Sequence, residues 1–237
     1  MKRIFISDLH LDASREDLTR AFTRFLSEQC QTIDELYLLG DFFELWLGDD
    51  EESALINEVI GALSNLPCEV FIMHGNRDFL IGEAFCNAAG AKLLTDPCSI
   101  NLGDQPALLM HGDSLCTRDE EYMKARILLR SDTFQKDFLS KPIQERRIIA
   151  QQIRGKSVQV SREKAEDIMD VTLEEVSKVM DQAGTSILIH GHTHRPAVHE
   201  VALQSGPGTR YVLGDWHTST KFLRANGAEL ELIHYDF

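Results

Sequence analysis

The chain has 237 residues, 43% of them apolar, which suffices for one sizeable core, and no run approaches the roughly 20 apolar residues that a membrane-spanning helix needs. Its net charge of −14 argues against a general nucleic-acid binder, so no nucleic-acid partner is expected. The five cysteines are scattered, odd in number and form no CxxC, and the apolar run in the opening "MKRIFISDLH" is too short for a signal peptide.

In chain order, "KRIFIS" (Lys2–Ser7) reads as a short buried strand, and Arg15–Cys30 has apolar residues at helical spacing. "ELYLLGD" (Glu35–Asp41) is a second strand, Glu51–Ser64 a second helix, and "CEVFIMHGN" (Cys68–Asn76) a third strand. This alternation predicts parallel pairing through helical crossovers. "PALLMHGD" (Pro106–Asp113) and "SILIHGH" (Ser186–His192) are two further strands. Between them a helical region runs from about Asp119 to Ala183, with breaks expected near Lys141–Pro142 and near Gly155. Within it, Arg118–Lys164 carries 12 Lys and Arg against 7 Asp and Glu, a basic segment in an acidic chain. The tail "FLRANGAELELIHY" predicts a hairpin joined at Asn226–Gly227.

One event recurs at five strand ends. The apolar runs stop at Asp8-Leu9-His10, Gly40-Asp41, Gly75-Asn76, His111-Gly112-Asp113 and Gly191-His192-Thr193-His194. Carboxyl ends of strands in an α/β sheet line a common crevice, and glycine lets the backbone approach a ligand there. Asp8, Asp41 and Asn76 offer oxygen, while His10, His111, His192 and His194 offer imidazole nitrogen. A mixed nitrogen and oxygen set without thiolate suits Mn, Fe or Zn better than Mg. Seven ligands exceed one four-coordinate ion and suffice for two ions sharing a carboxylate. His190 has the same parity as His192 but lies deeper in its strand and reads as structural. His74 is expected to have a backbone partner, and Trp46 either to sit in the core, as an aromatic two residues before Gly48 more often does, or to meet lipid. Glu44 and Asp113 are expected to orient ligands, and His217 either to steady a ligand histidine or to pack structurally.

Together "DLH", "GDFFE", "GNRD", "HGD" and "GHTH" resemble the calcineurin-like metallophosphoesterase family. The resemblance implies an α/β fold, a two-layered β-sandwich flanked by helices, rather than the simple parallel sheet that the alternation suggests. It also implies a catalytic dinuclear centre. Asp8, His10, Asp41 and His194 would hold one ion, and Asp41, Asn76, His111 and His192 the other, with Asp41 bridging. One departure is informative: most of that family has histidine after Gly-Asn, where this chain has Arg77. Arginine is a poor proton donor near neutrality but holds phosphate oxygens in a fixed fork. It therefore suits a leaving group that needs no proton, such as the phosphate released from a pyrophosphate.

The longer blocks "FISDLHLD", "GDFFELWLGDD", "HGNRDFLIG", "HGDSLCTRDEEY", "GHTHRP" and "LGDWH" resemble the branch of the family that acts on a UDP-linked acylated sugar lipid. What that resemblance implies is water attack on the uridine-side phosphorus of UDP-2,3-diacylglucosamine, giving UMP and 2,3-diacylglucosamine 1-phosphate for lipid A synthesis. Two Mn2+ ions would be the cofactor, and the chain would sit peripherally on the cytoplasmic face of the inner membrane. Residues 1–237 would form one domain, with 119–165 a helical lid inserted in it. Substrate contacts would fall on Asn76, Arg77, Asp119, Ser157, Ser161, Lys164 and His192, Ser161 standing where asparagine is common. The apolar residues of the lid include some expected to face outward, ringed by Lys and Arg, as suits acyl chains and an anionic membrane surface. Two other readings stay open: a different phosphoesterase or nucleotide pyrophosphatase on the same centre, and a non-catalytic binding module.

Overall fold

The computed structural model describes residues 1–162, 168 and 170–237, the side chains of 156–162 excepted. Its elements are β1 (Lys2–Ile6), α1 (Glu16–Gln29), β2 (Glu35–Leu39), α2 (Ala54–Ser64), β3 (Glu69–Met73), α3 (Glu83–Ala89), β4 (Ala91–Leu94), β5 (Cys98–Leu102) and β6 (Gln105–Leu109). There follow α4 (Glu120–Leu129), α5 (Asp132–Leu139), α6 (Ile143–Arg162), α7 (Leu173–Ala183), β7 (Ile187–His190), β8 (Val198–Leu203), β9 (Gly206–Val212), β10 (Ser219–Asn226) and β11 (Glu229–Asp236).

The strands form two sheets. The first has the order β11-β10-β1-β2-β3-β4 and the second β5-β6-β7-β9-β8. As the alternation predicts, β1, β2, β3 and β4 pair in parallel. The simple parallel sheet does not extend further, because β10 returns antiparallel to β1 and the second sheet is mixed. Side-chain parity explains why two sheets form. On β1 and β2, Phe5, Tyr37 and Leu39 point to one side and join Leu109, Ile187 and Ile189 of the second sheet in a core between the layers. Ile4, Ile6, Leu36 and Leu38 point to the other side and pack with Phe22 and Phe25 of α1 and Val59 of α2. Buried on both faces, these strands read as unbroken apolar runs. Phe25 meets Trp216, Phe222 and Tyr235 edge to face, and burying such a ring is worth about 3–5 kcal/mol against alanine. On the outer face of the second sheet, Val176 and Met180 of α7 pack on Leu108 and Leu188.

The helical segment departs from expectation in its breaks. The break at Lys141–Pro142 falls between α5 and α6, but α6 runs through Gly155 unbroken. A glycine inside a helix costs about 1 kcal/mol and need not stop it. An unforeseen break follows Leu129, where the Ser131 side chain accepts from the backbone N–H of Phe134 and starts α5. The final hairpin is present with its turn one residue later than predicted: Asn226 pairs with Glu229, leaving Gly227 and Ala228 as the loop. Among the described residues no helix is long and apolar enough to cross a membrane.

Candidate metal centre

The ends of β1, β2, β3, β6 and β7 converge, and the backbone does unusual work there. Among the described residues, those other than glycine with positive φ are Asp8 (55°), His10 (51°), Asp41 (49°), His192 (68°) and His194 (55°). All five are predicted ligands. Left-handed backbone is uncommon outside glycine, and its concentration at one place marks a functional constraint. Two glycines allow the loops to close around them. A Cβ on Gly75 would lie 2.1 Å from Asp41 Oδ1, and one on Gly191 would lie 2.2 Å from Asp8 Oδ2.

Two groups result: Asp8, His10 and His194, and Asp41, His111 and His192, each with its ligand atoms within 4.8 Å of one another. The Nε2 atoms of His10 and His194 face each other at 3.3 Å. Asn76 Oδ1 lies 3.1 Å from His111 Nε2, which brings the amide to the second group. Asp41 stands between the groups, with Oδ2 3.9 Å from His10 Nε2 and Oδ1 3.7 Å from His111 Nε2. All seven predicted ligands are therefore together.

The far nitrogens of three of the four imidazoles are held. His10 Nδ1 meets Glu44 Oε2 at 2.6 Å, His111 Nδ1 donates to the Leu39 carbonyl at 2.9 Å, and His194 Nδ1 lies 3.4 Å from Asp215 Oδ2. Each arrangement leaves Nε2 directed at the centre, as metal-binding histidines require. The expectation for Glu44 holds. His217 acts one step further out, 2.8 Å from Asp215. Asp113 does not hydrogen-bond His111. It accepts from Tyr122 Oη (2.7 Å) and Arg126 Nε (2.7 Å) and so ties α4 to the site. His74 finds the Ile81 carbonyl, and Trp46 lies in the core. His190 is fully buried and donates from Nδ1 to the Gly191 carbonyl.

Two residues escaped the sequence reading. Buried Asp78 accepts from the backbone N–H of Phe42 and Phe43 through Oδ2 and of Gly75 through Oδ1, clamping the Asp41 loop to the Asn76 loop. The "GNRD" motif contains it, but nothing local shows that its partners lie 35 residues away. Asp215 is the other, and the only signal was its place beside the already noted His217.

The electrostatics suit cations. Burial opposes ionisation of Asp8, yet the His194 contact and the charge of His111 hold its carboxyl below the usual range. Burial pushes Asp41 up to about 6 against the pull of His111 and His10. Burial works against charge on His111, but Asp41, Asp113 and Asp8 raise it to about 9. Burial and the neighbouring His111 push His192 down to about 3, leaving its lone pair available. Buried Asp8 Oδ1 has no aligned hydrogen-bond donor among the described residues. Facing imidazole nitrogens, an unmatched carboxylate oxygen and a shared aspartate together fit a pair of divalent ions.

A cavity of about 450 Å3 opens beside the first group, lined in part by His10, Glu44, Arg77, Arg154, His194 and Trp216. The Arg77 backbone N–H donates to Asp41 Oδ1, while its buried Nε has no partner among the described residues. Residues 1–196 match the calcineurin-like phosphoesterase family. The chain belongs to that family. Within it, relatives named UDP-2,3-diacylglucosamine hydrolase are similar over nearly their whole length. The one from Marinobacter nauticus is 49% identical over 95% of this chain and 94% of its own. The one from Cellvibrio japonicus is 47% identical over 100% of both, and that from Chromohalobacter salexigens is 52% identical over 91% and 89%. A solved archaeal phosphodiesterase shares the fold at TM-score 0.50, with 14% identity over 99% of each chain.

The predicted substrate contacts are placed unevenly. Asn76, Arg77 and His192 lie at the centre. Asp119 is the N-cap of α4, accepting from the Tyr122 N–H at 2.9 Å. Ser157 and Ser161 belong to α6, but their side chains lie outside those described, and Lys164 lies outside the described residues.

Proposed function

We propose that this hydrolase cleaves the pyrophosphate of UDP-2,3-diacylglucosamine by attack of water on the uridine-side phosphorus, yielding UMP and 2,3-diacylglucosamine 1-phosphate in lipid A synthesis. The relatives' names support the substrate. The observation that carries the chemistry is the meeting of two nitrogen and oxygen groups on Asp41, with Arg77 beside them, its Nε without a hydrogen-bond partner among the described residues. Asp8, His10, Asp41 and His194 would hold one divalent cation and Asp41, Asn76, His111 and His192 the other. Two such ions supply an activated water and offset the charge of the phosphoryl oxygens. The donor set, imidazole and carboxylate without thiolate, suits Mn, Fe or Zn, and the family resemblance selects Mn2+ among them.

The chain's own residues do the rest. Glu44, Asp215 and the Leu39 carbonyl fix the orientations of His10, His194 and His111. Arg77 grips phosphate oxygens and holds the diphosphate in register. When the bond breaks, its electron pair leaves with the sugar phosphate, which is a stable anion near neutrality and takes no proton from Arg77. Asp119, Ser157, Ser161 and Lys164 contact the substrate from the helical segment, which serves as a lid over residues 119–165 of a single domain. Among the described residues of that segment, four large apolar side chains are exposed: Ile127, Leu128, Leu139 and Ile148. With the surrounding Lys and Arg they support peripheral binding to the cytoplasmic face of the inner membrane.

Hydrolysis in 18O-water with manganese decides the matter. The label should appear in UMP, and Asp41→Ala and His111→Ala should abolish turnover with the fold retained. Label in the sugar phosphate, or full activity of Asp41→Ala after metal stripping, refutes the assignment.

A further inference from the structure

The cavity of about 450 Å3 beside the centre is one-sided. Of the six residues in the two ligand groups, only His10 and His194, both of the first group, line it. From them it runs toward the start of α1, where Asp12, Ser14 and Leu18 line it together with Trp216. By contrast, α4 stands against the second group. The Tyr122 ring centre is 6.0 Å from that of His192, and Arg130 at the end of the helix donates to the Gly75 carbonyl beside Asn76. Ile127 and Leu128 of α4 are exposed. A diphosphate spanning both groups carries two substituents that leave in different directions. An acyl-sugar half turned toward α4 therefore leaves the other half on the side of His10 and His194.

The chemistry of that arm suits hydroxyl groups better than a further phosphate or an acyl chain. Asp12 Oδ1 accepts from the Ser14 N–H at 2.8 Å and from Ser14 Oγ at 2.5 Å. A carboxylate has about four lone-pair sites, so acceptor capacity remains after these two bonds. The arginines of the lining other than Arg77 have carboxylate partners, Arg15 with Asp17 and Arg154 with Glu44, and the charge of Arg154 also acts on Asp12. The apolar wall is Leu18, 3% exposed, and Trp216, 2% exposed, which is too little surface for an acyl chain. A carboxylate accepting from ribose hydroxyls is a recurrent way of holding a nucleotide. The volume suffices as well, since sites for small molecules begin at about 300 Å3.

We infer that this arm holds the nucleoside half of the substrate, with Asp12 accepting from the ribose hydroxyls. The inference rests on the hydrolase reading and adds to it the residue that selects a ribonucleotide. The two halves of the substrate then lie on opposite ion groups, the nucleoside by the start of α1 and the acylated sugar by α4.

The test is titration calorimetry of the manganese-loaded full chain with UMP and with 2′,3′-dideoxy-UMP, metal content being measured in parallel. Both nucleotides bring the same phosphate to the ions, so their difference reads the hydroxyls alone. The unmodified chain should bind UMP roughly tenfold more tightly than the dideoxy nucleotide, as befits hydrogen bonds to a charged group. Asp12→Ala should lose that preference at unchanged metal content, whereas a merely structural role would weaken both nucleotides alike. Ser14 is exposed at the rim, so Ser14→Trp keeps a folded comparison if Asp12→Ala does not fold. It should shut out UMP and leave binding of 2,3-diacylglucosamine 1-phosphate unchanged. A full preference for UMP in Asp12→Ala, or unchanged UMP affinity in Ser14→Trp, overturns the inference. The two readings fail separately: an unmodified chain that releases UMP from UDP-2,3-diacylglucosamine but ignores the hydroxyls loses only the nucleoside site, and one that neither binds nor releases UMP loses both.

Discussion

Glu44 holds Nδ1 of His10 through Oε2 and is itself gripped at Oε1 by Arg154 of α6, while Asp215 reaches Nδ1 of His194. These carboxylates would decide which nitrogen faces the proposed ions. Glu44→Gln and Asp215→Asn should therefore bind Mn2+ about 10–100-fold more weakly with little change in fold, read by titration in metal buffers. Equal affinity would show that the imidazoles hold their own orientation. His190 makes a different prediction. Its folded-state value of about 4 lies below the ordinary value near 6.5, so the unfolded chain takes up the proton first. The stability it contributes is full above about pH 6.5 and is lost as pH falls toward 4. The unmodified chain should lose roughly 3 kcal/mol more over that window than His190→Gln. Denaturant midpoints at several pH values check this, and parallel curves would refute it.

At the scale of the elements, the proposed ligands stand where parallel strands stop. This was legible because each apolar run ends abruptly in Gly, Asp, Asn or His. The left-handed backbone at five ligands was not legible, since Asp and His tolerate that region without requiring it. β4 and β5 also escaped notice: "AKLL" is only four residues, and "CSINL" alternates weakly. In the helical segment, α4 buries none of its residues, yet Arg126 and Arg130 reach Asp113, and Arg130 donates to the Gly75 carbonyl next to Asn76. Further on, Arg146 pairs with Asp50 and donates to the Leu47 carbonyl. The segment is therefore anchored by arginines, with its apolar residues Ile127, Leu128 and Ile148 left outward. Replacing these three by serine should leave thermal stability nearly unchanged, within about 0.5 kcal/mol per site. It should raise KM for the acylated substrate in vesicles while kcat holds. An unchanged KM would remove the lid from lipid recognition.

On the scale of the whole molecule, the layered architecture was readable only through the family resemblance. Helix and strand alternation reports neighbours along the chain. It does not report that β1 pairs with β10 some 220 residues later, Arg3 opposite Ala225, nor that Phe5 and Tyr37 face a second sheet rather than solvent. The two sheets meet at the centre through Asp8, which accepts the N–H of His192 at 2.9 Å, and through His111, which donates to Leu39. Metal removal should thus be felt globally. Chelation should lower the melting temperature, and Mn2+ should restore it while an equal ionic strength of KCl does not. A melting curve indifferent to chelator would show the loops to be preformed.

The β10–β11 hairpin has a temporal consequence. The Asp8 carbonyl receives the Trp216 N–H at 3.2 Å, and the free edge of β1 is covered only by β10. A nascent chain leaving the ribosome has thus made all seven ligands by His194 while its first strand is still open to any passing strand. Until the hairpin emerges and closes that edge, the half-born chain is exposed to mispairing.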